Sequence, residues 1–194
     1  MSELKPQGLK KSQILLYGFF GMFLNTFYLM FLAYNRLFYL TNVLQLSTQI
    51  SAVVNTLSVW GNVVTMLLAG AIIEKFTFKS GKFRTWTVIG GIVVGITFTL
   101  LFANFGLSQG VAGALFVVMF VIQSIGYNTL WVAERSLVGP MSTTAADANS
   151  LAMVAQQGST LGGLIYGVVN PFIMKAVGDS YTWTALVYGL FIVV

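Results

Sequence analysis

The sequence predicts an all-α integral membrane protein, a bundle of six helices joined by short loops. Three observations predict it. Apolar residues make up 57% of the chain and charged residues 8%, where a soluble domain carries roughly 25% charged. The apolar residues fall in runs of about 20–29, the length a helix needs to cross a hydrocarbon core of about 30 Å. Eight of the ten basic residues (Lys5, Lys10, Lys11, Lys75, Lys79, Lys82, Arg84 and Arg135) lie on one side if six helices alternate. A β-barrel would need short strands of alternating polarity, and these runs do not alternate.

The first helix is expected over 12–40, after a tail of residues 1–11 that carries three of the lysines. The second covers 49–73, and Asn42 to Ser47 supply the turn before it. The third covers 85–104, behind Lys79-Ser80-Gly81. The fourth covers 111–132, after the glycine-flanked turn from Gly106 to Gly110, and the fifth covers 149–177, after Gly139-Pro140. Gly178-Asp179-Ser180 marks the break before the sixth, 181–194. Fourteen residues rise only about 21 Å, so this helix reads as truncated and the chain as the front half of a larger protein. The basic bias places the N-terminus in the cytoplasm of a multi-pass cell-membrane protein.

The same composition excludes several functions. There is no cysteine and no histidine, which removes thiolate chemistry, the commonest metal ligand and the usual general base. With five carboxylates in all, neither an enzyme nor a metal site is expected, and no cofactor is called for. The net charge of +5 sits between apolar segments rather than along one solvated face, so it points to the lipid bilayer and not to nucleic acid. Glycines four apart (Gly91 and Gly95; Gly158 and Gly162; Gly163 and Gly167) predict close helix crossings.

The second connection carries the most specific pattern: Gly70, Glu74, Lys75, Lys79, Gly81, Lys82, Phe83, Arg84 and Trp86. It resembles the loop between helices two and three of the major facilitator superfamily. Its length and basic residues look most like the glycoside–pentoside–hexuronide:cation symporters, the melibiose-permease-like branch. Tyr17-Gly18, the stretch from Tyr39 to Val43, and Ser136 to Ala146 fit the same branch. The resemblance implies the N-terminal half of a sugar or glycoside symporter, whose partners would be a sugar-like substrate and the missing C-terminal half. Physically, Glu74 at a helix end beside Lys79, Lys82 and Arg84 can tie helix ends in one conformation and release them in another, and Gly81 permits a positive-φ turn.

The departures from that family are informative. An Asp-Pro pair expected before Gly70 is Met66-Leu67 here, and a carboxylate expected one turn earlier is Asn62. Sodium wants charged oxygen ligands, so the coupling ion is left open, with a proton favoured over sodium. Acidic and basic positions of the family's sugar site fall at Asn25, near Trp131 and near Gln156. Candidate substrate contacts are therefore Asn25, Arg36, Asn62, Trp131, Gln156 and Gln157. Amides can hydrogen-bond hydroxyls and an indole can stack on a sugar ring. Two adjacent amides cannot face the same neighbour on a helix, so one of Gln156 and Gln157 is expected to face a polar cavity. Tyr28, Tyr34, Trp60 and Tyr127 are further candidate platforms, and Glu134-Arg135 reads as an ion pair or an anchor at the cytoplasmic end of a helix, with gating as the alternative. Transport of another small solute, or a truncated scaffold that transports nothing, are the alternatives.

Overall fold

Long apolar runs with polar breaks fold here into six helices. The computed structural model describes residues 10–76, 78, 81–142 and 144–193. The helices are α1 (Lys11–Val43), α2 (Thr48–Lys75), α3 (Lys82–Leu101), α4 (Gln109–Ser136), α5 (Ala145–Ala176) and α6 (Tyr181–Val193), with a helical turn at Val138–Met141 between α4 and α5. Four of them, α1 to α4, are long and apolar enough to cross a membrane. α5 is long enough but less apolar, and α6 is apolar but shorter.

The ends differ from expectation where capping decides them. α5 starts at Ala145 instead of 149 because Thr144 and Asp147 form a reciprocal cap. The Asp147 amide donates to Thr144 Oγ1 at 3.1 Å and the Thr144 amide to Asp147 Oδ2 at 3.2 Å. α2 starts at Thr48, where Ser47 accepts the Ile50 amide at 3.4 Å. α4 runs on to Ser136, past 132, and α3 runs over 82–101 instead of 85–104. α1 reaches Val43 through a wider π-helical turn, Tyr39–Val43, and has another at Ile14–Phe20. The tail to residue 9, Thr77, Lys79, Ser80, Thr143 and Val194 lie outside the described residues.

The two ends of the bundle are pinned by side chains. Gln109 Nε2 donates to Gln45 O at 2.8 Å, and Thr182 Oγ1 donates to Phe102 O at 2.7 Å. This is the far end, away from the N-terminus. At the near end the Tyr17 hydroxyl donates to the Glu134 carbonyl. The closest crossings are α1 with α5 and α6, α3 with α4 and α6, and α2 with α4. This set is unchanged if α1, α2 and α3 are exchanged for α4, α5 and α6, so the bundle is a pair of matching three-helix units.

Glycine makes the α1–α5 crossing close. A Cβ on Gly158 would meet the Phe19 backbone, and one on Gly162 would sit 2.8 Å from Phe23 O. Thr26 Oγ1 donates across this crossing to Ser159 Oγ at 3.0 Å. Gly163 has looser neighbours, and around Gly167 there is open space. Lipid supplies no hydrophobic push between helices, so this backbone contact supplies the attraction. The core is aromatic and lies toward the far end: Phe27, Tyr28, Phe31, Phe98, Phe102, Tyr166 and Tyr188 are buried.

Candidate functional site

α1 and α4 face each other along a seam that holds two cavities. On α1 the stripe runs 17, 21, 25, 28, 32, 36 and on α4 it runs 120, 123, 127, 130, 134, the three- and four-residue steps of one helix face. The far cavity, about 240 Å³, is lined by Tyr28, Arg36, Asn62, Phe120, Gln123 and Tyr127 among others. Arg36 is half-buried, with its guanidinium carbon 5.2 Å from the centre of the Phe120 ring. Ring contact and the long aliphatic stem offset part of the cost of holding the charge there.

Hydrogen bonding in this cavity is incomplete. Tyr28 OH and Gln123 Oε1 are buried without a protein partner among the described residues. A buried polar group without a partner costs about 1–3 kcal/mol, so these atoms are suited to a ligand that brings hydroxyls. Asn62 is placed differently. Asn128 Nδ2 donates to Asn62 Oδ1 at 3.1 Å and to Thr65 Oγ1 at 2.9 Å. The amide is half satisfied by its own bundle and presents the rest to the cavity.

The near cavity is larger, about 410 Å³, and is lined by Tyr17, Gly21, Asn25, Thr87, Glu134 and Phe191 among others. Between the two cavities stands the stacked pair Tyr28 and Tyr127, ring centres 5.1 Å apart. The stack continues through Trp131 at 6.1 Å and ends on Arg135, whose guanidinium carbon lies 4.2 Å from the Trp131 ring centre.

The candidates from sequence thus divide. Arg36 and Asn62 meet in the far cavity, joined by Tyr28 and Tyr127. Asn25 is buried in the near one. Trp131 lies between Tyr127 and Arg135 and lines neither. Gln156 and Gln157 are both exposed on α5 and are not brought to these cavities, and Tyr34 and Trp60 are also exposed. Glu134 and Arg135 are not an ion pair. Successive residues diverge by about 100° around a helix, so Arg135 turns to Trp131 and to Met22 Sδ, at 3.5 Å, while Glu134 turns into the near cavity. Gln123 and Ser124 were missed, although Gln123 lies four before Tyr127 and eleven before Glu134 on the same face.

The loop between α2 and α3 is held by Trp86. Its Nε1 donates to Phe76 O at 3.2 Å, and its ring packs edge-on against Phe78 at 5.4 Å. Gly81 has φ +109°, and its carbonyl accepts Thr85 Oγ1 at 3.0 Å. Glu74 and Arg84 are exposed, and a Cβ on Gly70 would meet open space. Lys79 and the Lys82 side chain lie outside the described residues.

The family described as MFS/sugar transport protein matches residues 12–194. The raffinose carrier protein of Pediococcus pentosaceus is 30% identical over 128 residues, which cover 59% of this chain and 20% of that protein. The lactose permease of Lactobacillus delbrueckii subsp. bulgaricus is 29% identical over 119 residues, covering 59% of this chain and 19% of that protein. These matches span about a fifth of either relative.

Proposed function

We propose, from the premise that this chain belongs to the major facilitator family of sugar transport proteins, that it forms one half of a secondary carrier for a sugar or glycoside. The complete carrier would bind sugar near the bilayer midplane between this half and a second one, and expose the site alternately to each side. Symport is the proposed mode. The N-terminus and the α2–α3 loop are proposed to be cytoplasmic, from the basic bias at the near end. Exposed Gln156 and Gln157, and the loop residues Gly70, Glu74, Gly81 and Arg84, are then proposed to meet the other half.

The observation that carries the reading is the far cavity. Arg36, Asn62, Gln123, Ser124 and Tyr28 place donors and acceptors around a space walled by Phe120 and Tyr127. Hydrogen bonds at the rim and rings on the wall suit a molecule with hydroxyls on its edges and C–H groups on its faces. A sodium site on α2 is disfavoured: Met66 and Leu67 are exposed, and Asn62 Oδ1 already accepts from Asn128.

The test is uptake of radiolabelled lactose and raffinose into proteoliposomes containing the full-length carrier. Saturable uptake is expected, with Gln123→Leu raising the half-saturation concentration about tenfold, as loss of one hydrogen bond to a hydroxyl would. Wild-type carrier that moves neither sugar, nor any other in a panel of glycosides, would refute the proposal.

A further inference from the structure

The far cavity holds a cation and, among the described residues, no anion. Arg36 lines it and no carboxylate does. The four described carboxylates lie elsewhere: Glu74 and Asp179 are exposed, Asp147 caps α5, and Glu134 lines the near cavity. Two matching stripes set the place of Arg36. Leu29, Leu32, Ala33 and Arg36 on α1, and Phe120, Gln123, Ser124 and Tyr127 on α4, each follow the spacing of one helix face. Both stripes line the same space. Arg36 stands beside Phe120 at one end, and Tyr28 beside Tyr127 at the other, about 12 Å of helix rise away.

The cavity leaves the guanidinium only partly compensated. The Phe120 ring lies 5.2 Å from its carbon. A ring offsets part of the charge but offers no oxygen to the N–H groups. The oxygens on the wall are neutral. Asn62 Oδ1 already accepts from Asn128, and Gln123 Oε1 and Tyr28 OH are buried without a protein partner among the described residues. No charged group among the described residues faces Arg36.

We propose that Arg36 makes the far cavity an anion subsite, and that the preferred substrate is a sugar that carries a carboxylate. The inference rests on the sugar-carrier reading and adds to it the charge of the substrate. A guanidinium presents its N–H groups as a planar fork that matches the two oxygens of a carboxylate. A hydroxyl oxygen fills one place of that fork and brings no charge. Arg36 is half-buried, so water compensates it while the cavity is open. A carrier that exposes its site alternately to each side closes over the substrate in between, and closure removes that water. With a neutral sugar inside, the charge is left among a ring and neutral dipoles. With a carboxylate inside, it is paired and hydrogen-bonded, the condition under which a buried charge is tolerated. The sugar hydroxyls remain for Gln123 Oε1 and Tyr28 OH. Raffinose and lactose, the sugars named for two similar proteins, carry no charge, so likeness to those proteins does not supply this preference.

The test uses the proposed full-length carrier in proteoliposomes with radiolabelled methyl β-D-glucuronide and methyl β-D-glucoside. The two differ only in a carboxylate that replaces a hydroxymethyl group. Half-saturation is read from exchange of labelled for unlabelled sugar, so no net charge moves. Wild-type carrier should half-saturate at about tenfold lower glucuronide than glucoside, the factor expected of one charge-assisted hydrogen-bonded pair. The uncharged methyl ester of the glucuronide should behave as the glucoside does. R36Q should lose the preference while its half-saturation for glucoside stays within about twofold of wild type, and R36K, which keeps the charge without the fork, should retain part of the preference. Equal half-saturation for the two sugars in the wild type, exchange of lactose without glucuronide, an unchanged preference in R36Q, or weakening of both sugars alike in R36Q and R36K would each overturn the anion subsite. Wild-type carrier that exchanges neither methyl glycoside nor lactose would instead overturn the sugar-carrier reading beneath it.

Discussion

Adding one methyl group at Gly158 should unlock the α1–α5 crossing, and the same methyl at Gly167 should not. At Gly158 the new Cβ would stand 3.0 Å from both the carbonyl carbon and Cα of Phe19, and nearer still to the carbonyl oxygen. The obstacle is backbone, so no rotamer change relieves it and the helices must separate. Overpacking of this kind costs about 1–3 kcal/mol. Alanine in place of glycine also favours a helix by about 0.8–1 kcal/mol. At Gly167 nothing lies within 4 Å of the added Cβ, so only that gain remains. The difference between the two variants removes the propensity contribution and isolates the contact, about 1–3 kcal/mol. For a domain near this size each kcal/mol moves the midpoint by roughly 2–4 °C, giving a gap of about 2–12 °C. The assay is thermal unfolding of the detergent-solubilised protein, followed by loss of the monodisperse peak in size exclusion. Equal midpoints for Gly158→Ala and Gly167→Ala would refute the backbone-contact argument.

Two further outcomes are expected. Cysteines introduced at Ser80 and Ser108 should react with a membrane-impermeant thiol reagent from opposite sides, Ser108 from outside; labelling of both from outside would refute the proposed topology. Gly81→Val forces a β-branched residue to φ +109°, a conformation that costs about 1–3 kcal/mol, and in the proposed full-length carrier should slow sugar transport at least tenfold while changing sugar affinity less than twofold. A weakened affinity at normal rate would place the loop in binding instead of in conformational change.

The helices were legible because their signal is the apolar run itself, and the loops because Gly and Asn punctuate them. The α1–α5 crossing was legible too, from Gly158 and Gly162. Their neighbours Gly163 and Gly167 show the limit: identical spacing places one pair against a helix backbone and the other at looser side-chain contact and open space, and only the angle of rotation separates them. The start of α5 was misjudged although Thr144 and Asp147 spell out a reciprocal cap. Glu134 and Arg135 were read as partners because opposite charges are adjacent, yet adjacency on a helix is divergence in space. Gln123 was passed over because the residues singled out came from the resemblance, and a stripe drawn from Phe120 through Tyr127 to Glu134 would have included it. The exposure of Gln156 and Gln157 has no counterpart in sequence, since an amide pair looks the same on an outer and an inner face.

The crosswise pattern of close crossings has a consequence for how the molecule is made. Nearly every helix finds its tightest partner in the other three-helix unit, so α1 leaves the ribosome long before α5 exists. At about 5–20 residues per second, the interval between them is on the order of ten seconds. Throughout it, Gly18 and Thr26 have no helix to lie against, and Asn62 waits for Asn128. α2 and α3 can pair with α4 as soon as it emerges, but α1 must wait for α5 and α6. The nascent first unit must be held by the insertion machinery or by lipid until the second emerges. The α3–α4 loop is then the natural place to divide the chain, because two separately made units would meet the same partners in the same order as the intact one.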